Sequence, residues 1–284
     1  MSAEPVPLQA LDARRARRDP AVVHDGGVFH CFHTVVDTTQ DPPALRVEST
    51  TSRDLVAWSD PRVVIGGPAN FSSPGNVLRH GDEWVMFLQS YPIDPGEQYG
   101  SARCRLWSAR STDLISWSAP TPLRIEGPGA DARRIDPFVF ADGDVFRCLH
   151  KHDGAIAELE SPDLEVWRVR DGRALLTAAD TPEGVPIENP AALRLDDELA
   201  LVYSPCRPGR GIGLARGHRD GEWREVRSLT LPTASWAVDG FTAGVLVDTG
   251  DPDERWALFV HGEQPDAHGA ALAVLRRADL EHWR

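Results

Sequence analysis

One seven-residue pattern recurs along the chain at intervals that point to a repeat architecture. Ser52-Arg53-Asp54-Leu55-Val56-Ala57-Trp58 returns as Ser111-Thr112-Asp113-Leu114-Ile115-Ser116-Trp117 and as Ser161-Pro162-Asp163-Leu164-Glu165-Val166-Trp167. Gly217-His218-Arg219-Asp220-Gly221-Glu222-Trp223 is a worn fourth copy, and Ala278-Asp279-Leu280-Glu281-His282-Trp283 is the last. The Asp favours a turn through its own backbone. The Trp, four residues later in most copies, can pack against a neighbouring unit. The chain therefore divides into five units of about 50 to 60 residues, a period typical of radial or stacked repeats.

Each unit reads alike. An apolar strand with a polar start is followed by a short turn such as Asp25-Gly26-Gly27 or Asp142-Gly143-Asp144, then by two more strands, the hook and a fourth strand. Gly/Asp turns between β-rich runs are hairpin signals, and no stretch shows a helical period. Four-stranded units around an axis make a β-propeller. The expected fold is all-β: one five-bladed propeller domain spanning 1–284, with blades at 18–65, 72–125, 134–176, 187–231 and 238–284. Segment 5–11 should close the last blade and remove an exposed sheet edge.

The first strands carry the chemistry. Arg18-Asp19-Pro20, Ile135-Asp136-Pro137 and Ile187-Glu188-Asn189-Pro190 each set a carboxylate at a proline-marked strand start, where the missing N–H costs little. Ser73-Pro74-Gly75-Asn76 is a copy without an acid, and Asp239-Gly240-Phe241 takes the fifth place without a proline. The second strands, aligned on their apolar runs, end in His33, Gln89, His150, Ser204 and His261. These five should ring the mouth that holds the acids.

The formal net charge of −13 disfavours nucleic acid and anionic lipid as partners. No apolar stretch is long enough to span a membrane. Residues 1–18 lack the apolar run of a secretory leader, and the four cysteines show no CxxC spacing that would suggest zinc. The expected location is the cytoplasm.

With the acids placed in this order, and with the Ser-x-Asp-Leu-x-x-Trp hooks, nearly the whole chain resembles the family 43 glycoside hydrolases and their five-bladed relatives. The resemblance implies Asp19 as general base, Glu188 as general acid and Asp136 as the residue that orients the acid and raises its pKa. It also implies a small carbohydrate substrate, an arabinofuranoside or xyloside. The residues agree with those roles. Asp136 and Glu188 stand on neighbouring blades, where like charge should keep Glu188 protonated. Asp19 faces Glu188 across the axis. Inverting glycosidases need roughly 6.5–9.5 Å between the two carboxyls, room for a water.

Many family members carry a histidine at the start of the fifth blade, often near an axial metal or ordered water. Here Asp239 stands there, either replacing that function or acting behind the other acids. No cofactor is expected, and an axial calcium is the one exception the family leaves open. Further contacts to substrate could come from Ser73 and Asn76, from His33, Gln89 and His261, from the cationic pair His150 and Lys151, and from Trp236 as a stacking surface. Each also has a structural reading: the histidines as hydrogen-bonded core groups, the cations as a solvated rim, the aromatics as interior filling. Two other functions remain open: a non-catalytic sugar-binding propeller, or a glycoside phosphorylase that uses His150 and Lys151 for phosphate.

Overall fold

Each repeat folds as an antiparallel meander whose strands pair in chain order. Blade one holds β1 (Arg15–Asp25), β2 (Val28–Asp37), β3 (Ala44–Ser52) and β4 (Arg62–Ile65). Blade two holds β5 (Phe71–His80), β6 (Glu83–Ser90), β7 (Arg105–Ser111) and β8 (Thr121–Pro122). From the following connector, β9 (Arg124–Glu126) adds a parallel strand to the outside of blade three, which is built from β10 (Ile135–Asp142), β11 (Val145–His152), β12 (Ala155–Ser161) and β13 (Val166–Val169). Blade four holds β14 (Ile187–Leu195), β15 (Glu198–Pro205), β16 (Gly213–His218) and β17 (Glu222–Ser228), and blade five β18 (Phe241–Asp248), β19 (Trp256–Gly262) and β20 (Leu272–Arg276). This is a computed structural model, and it describes all residues except 1–3, 95–96, 98–99, 171–173, 196–197, 208, 219–221, 254, 265–270 and 277–284. The described residues contain one short 3-10 turn, Ala178–Asp180, and no α-helix.

The first strands line the axis, each packed against the first strands of its two neighbours. Their apolar residues fill the seams between blades. Phe32 and Val47 of blade one meet Met86 and Leu88 of blade two, while Phe87 on the opposite face of β6 meets Cys148 and Leu159 of blade three. The two-residue turn Gly26-Gly27 joins β1 to β2 with both φ angles positive, a conformation suited to the twist of a tight hairpin and costly for residues with a Cβ.

The hooks fold as their residues dictate. In the first three copies the Ser hydroxyl accepts the Leu N–H at 2.9 Å, and the Asp carboxylate accepts the next two backbone N–H groups at 2.7–3.1 Å. The Trp then crosses to the preceding blade. Trp117 meets Phe32 edge-on, Trp167 meets Phe87 and Trp58 meets Phe259 of blade five. Each such pair adds about 0.5–1.5 kcal/mol beyond area burial. Trp223 of the fourth unit donates to the Leu175 carbonyl. Positions 219–221 of that worn hook, and the last hook at 278–283, lie outside the described residues.

The N-terminal segment reaches blade five. Pro7 bridges Ala273 antiparallel, and the Leu8 N–H donates to the Leu272 carbonyl at 2.9 Å. This is a short bridge along the outer side of β20 rather than a full fourth strand.

Candidate active site

Every innermost strand breaks its pairing once, at the same level. The breaks fall between Arg18 and Ala21, Ser72 and Asn76, Ile135 and Phe138, Glu188 and Ala191, and Thr242 and Val245. The first bulged residue has positive φ in all five: Asp19, Ser73, Asp136, Asn189 and Ala243, between 42° and 55°. A bulge of this kind bends the strand and re-aims a side chain. Asp19, Ser73 and Asp136 thus become equivalent groups facing the axis, and Glu188 sits one residue before its bulge. The fifth bulge is Thr242-Ala243-Gly244. This corrects the placement of Asp239, which precedes β18, lies off the ring of equivalents and accepts the Gly209 N–H at 2.8 Å.

A left-handed backbone turns the N–H of the bulged residue toward the preceding blade, and a side chain there receives it. Thr34 Oγ1 accepts from Ser73 at 2.7 Å, and Gln89 Oε1 from Asp136 at 2.7 Å. Ser204 Oγ accepts from Ala243 at 2.9 Å, and His261 Nδ1 from Asp19 at 3.1 Å. The fifth member of this ring is Lys151, paired with Ile135 as Thr34 is with Arg18. An ammonium has no lone pair to accept with. The Asn189 N–H goes instead to the Asp136 carboxyl, and Lys151 reaches Glu188.

The ring of second-strand ends is therefore Thr34, Gln89, Lys151, Ser204 and His261. His33 and His150 fall one residue early, and a one-residue slip sends a side chain to the other face. Both are buried away from the cleft, and burial pushes both imidazoles down to about 3. The cationic pair expected at His150 and Lys151 is thus not assembled at the cleft: only Lys151 borders it, and His150 is buried and neutral.

Asp19, Asp136 and Glu188 open into one cleft of about 730 Å³, within the usual range for small-molecule sites. The Ser73 hydroxyl lies 3.1 Å from Asp19 Oδ2 and 3.4 Å from Asp136 Oδ1, so it joins two of the three acids. Burial, with the nearby negative charge of Glu188, pushes the Asp136 carboxyl up to about 7. A protonated Asp136 can donate to Ser73, leaving the serine proton for Asp19.

Glu188 differs from the expectation that it would hold the proton. Burial raises its pKa, but Lys151 Nζ at 2.5 Å from one carboxyl oxygen and Arg210 at 3.0 Å from the other outweigh burial and hold it below the usual range. In the free chain Glu188 is the charged member of the pair and Asp136 the one that keeps its proton longest.

His261 has both nitrogens engaged. Nδ1 accepts from Asp19, so Nε2 carries the hydrogen and donates to Glu263 at 3.1 Å. Glu263 also pairs with Arg18 at 3.3 Å. His261 is fully buried and positions Asp19 rather than meeting a ligand.

Of the other expected contacts, Ser73, Gln89, Lys151 and Asp239 border the cleft. Asn76 does not: its amide pairs with both backbone groups of Val139, at 2.5 and 2.7 Å, in the seam between blades two and three. Trp236 does not either. It is buried, stacks edge-on with Phe241 and donates to the Pro5 carbonyl at 2.7 Å. Among the described residues, the aromatic at the cleft is Tyr91. Arg18, Arg133, Arg210 and Glu263, none of them among the expected contacts, also border it. Glu263 follows His261 by two residues, which was a usable signal; the arginines carry none.

The donors present do not fit an axial metal. Among the described residues no three His, Cys, Asp or Glu side chains are grouped to hold an ion, and both His261 nitrogens are committed.

No protein-family model and no curated protein sequence matches the chain. Solved structures do. An exo-1,5-α-L-arabinanase from a bovine ruminal metagenomic library matches with TM-score 0.68 and 15% identity, over 96% of this chain and 100% of that one. The catalytic domain of the Coprinopsis cinerea family 62 α-L-arabinofuranosidase matches with TM-score 0.71 and 14% identity, over 98% and 97%. A thermostable family 43 glycoside hydrolase matches with TM-score 0.64 and 15% identity, over 92% and 89%. The chain is a five-bladed propeller whose fold is similar, over nearly its full length, to this arabinanase and to these glycoside hydrolases of families 62 and 43.

Proposed function

We propose that the protein is a glycoside hydrolase acting on small glycosides or oligosaccharides by single displacement with inversion. The observation that supports it is the meeting of Asp19, Asp136 and Glu188, from three blades, in one small-molecule cleft. Asp19 activates the water. Ser73 and His261 fix its carboxylate and its backbone. Glu188 serves the leaving oxygen, and Asp136 supplies the pair's one proton. Transfer from Asp136 to Glu188 follows once a bound sugar draws Lys151 and Arg210 off Glu188. The names of the similar structures, an arabinanase and an arabinofuranosidase, support a pentofuranoside as substrate, with a xyloside next.

A second reading makes Asp136 itself the proton donor, favoured by its elevated pKa. Aryl glycosides of graded leaving-group acidity separate the two. Losing a general acid costs roughly 10²–10⁴-fold with a poor leaving group, and little with one that departs unaided. Glu188→Gln should show that dependence, and Asp19→Asn should be slow on all substrates. If Asp136→Asn shows it instead, the second reading holds. Retention of anomeric configuration in early product, read by NMR, would exclude inversion. Turnover that requires inorganic phosphate would make the protein a phosphorylase, and binding without turnover a lectin-like propeller.

A further inference from the structure

Four cations border the cleft of this acidic chain: Arg18, Arg133, Lys151 and Arg210. Three are spent on the protein's own carboxylates. Arg18 pairs with Glu263, and Lys151 and Arg210 with Glu188. Arg133 is different. It borders the cleft, leads into β10 three residues before Asp136, and pairs with no carboxylate among the described residues; its side chain reaches the weak Cys104 thiol. Its charge is felt by Tyr91, which is also near enough to Asp136 to feel that carboxyl. Arg133, Tyr91 and Asp136 all border the cleft.

A part-buried guanidinium without an anion is an incomplete arrangement. Its planar fork matches a carboxylate or a phosphate in two parallel hydrogen bonds. A protein of net charge −13 also repels anionic ligands at long range. Holding one requires a local cation that is not already neutralised.

We infer that Arg133 is a substrate-anion contact, and that the sugar bound beside Asp136 carries an oxyanion, as a uronic acid or a sugar phosphate does. This rests on the hydrolase reading and narrows its substrate from a neutral pentofuranoside or xyloside to an acidic sugar. The neighbouring groups allow it: Glu188 is doubly paired, Glu263 is paired, and Ser73 bonds Asp19 and Asp136.

The test compares 4-nitrophenyl glucuronide and 4-nitrophenyl glucoside 6-phosphate with the neutral 4-nitrophenyl arabinofuranoside, xyloside and glucoside. The wild type should show a KM about tenfold or more lower for one acidic probe, the value of a charge-assisted hydrogen bond. Which acidic probe is favoured tells carboxylate from phosphate. Arg133→Met should raise that KM about tenfold, with kcat and the neutral substrates little changed, and Arg133→Lys should recover part of the loss. An equal effect on acidic and neutral substrates, or no acidic preference in the wild type, would overturn the assignment. If no probe is turned over, calorimetry with free glucuronate, glucose 6-phosphate and xylose decides. Acidic binding lost in Arg133→Met keeps the anion site while the hydrolase reading falls. Equal binding of glucuronate, glucose 6-phosphate and xylose, or acidic binding unchanged in Arg133→Met, sinks the anion site.

Discussion

The imidazole Nδ1 of His261 accepts the backbone N–H of Asp19 across the seam between blades five and one, at 3.1 Å. One blade thereby fixes the orientation of a carboxylate that belongs to another. Thr34, Gln89 and Ser204 do the same for Ser73, Asp136 and Ala243. The bulges that aim the acids are held by the closure of the ring, so the site forms only when the propeller does.

His261→Ala leaves the Asp19 N–H buried without an acceptor. That should cost about 1–3 kcal/mol of stability and lower kcat more than KM. Gln fills the equivalent place in blade two, so His261→Gln should recover both. Urea denaturation and steady-state kinetics on the two variants check it; equal defects in both would show that the acceptor is not what matters.

Asp136 gives the protein a pH dependence of known sign. Its folded carboxyl titrates near 7 against an ordinary value of 3.8, so the folded state binds the proton more tightly than the unfolded one. Its contribution to stability is full at low pH, falls as pH rises from about 4 to about 7, and is flat above that. Asp136→Asn removes the ionisation. The variant should be more stable than wild type at pH 8, by on the order of a few kcal/mol, with the gap closing toward pH 4. Turnover should be lost at both pH values. Thermal melts across that range read the first, and a glycoside assay the second.

The fold was legible because each unit carries its own local chemistry. The Ser and Asp of a hook capture the backbone groups that make the turn, and proline marks four of the five bulges. The three acids were legible for the same reason. Alignment on apolar runs places the ring of second-strand ends one residue early in two blades. Counted from the far side of the two-residue turn, the seventh residue is Thr34, Gln89, Lys151 and Ser204. Blade five has a longer connection before Trp256 and no bulge proline, so nothing in its sequence separates Asp239 from a true equivalent. Lys151 and Arg210 reach Glu188 from β11 and from the segment after β15, a pairing that no local pattern announces.

Gly75 should be intolerant of any side chain. The bulge of blade two is one residue longer than the others, and it runs against the carbonyl of Pro137 in blade three. A Cβ on Gly75 would lie 1.3 Å from that oxygen. Gly75→Ala must therefore displace the bulges that carry Ser73 and Asp136. Stability should fall by roughly 1–3 kcal/mol, as for other overpacked sites, and kcat should fall with it. Gly81, at the exposed turn of the same hairpin, has open space around it. Gly81→Ala should cost only its backbone strain and leave kcat unchanged.

Lys151 decides which acid of the pair is charged. Its place in the ring is the one that a hydrogen-bond acceptor fills in the other four blades. A lysine there cannot take the Asn189 N–H, which passes to Asp136, and its ammonium settles on Glu188. Lys151→Met removes one of the two cations on Glu188 and leaves Arg210, with Arg18 and the Cys206 thiol also near the site. Removing an opposite charge at this distance raises a carboxyl pKa by about one to three units. If Glu188 donates the proton, the alkaline limb of the kcat/KM profile should move up by that amount, while the limb set by Asp19 stays in place. Lys151→Gln also restores an acceptor for the Asn189 N–H, and should move the limb in the same direction. Lys151 also holds the Asp136 carboxyl down, so an alkaline limb that stays put in both variants would mean that neither acid of the pair carries the proton that limits turnover.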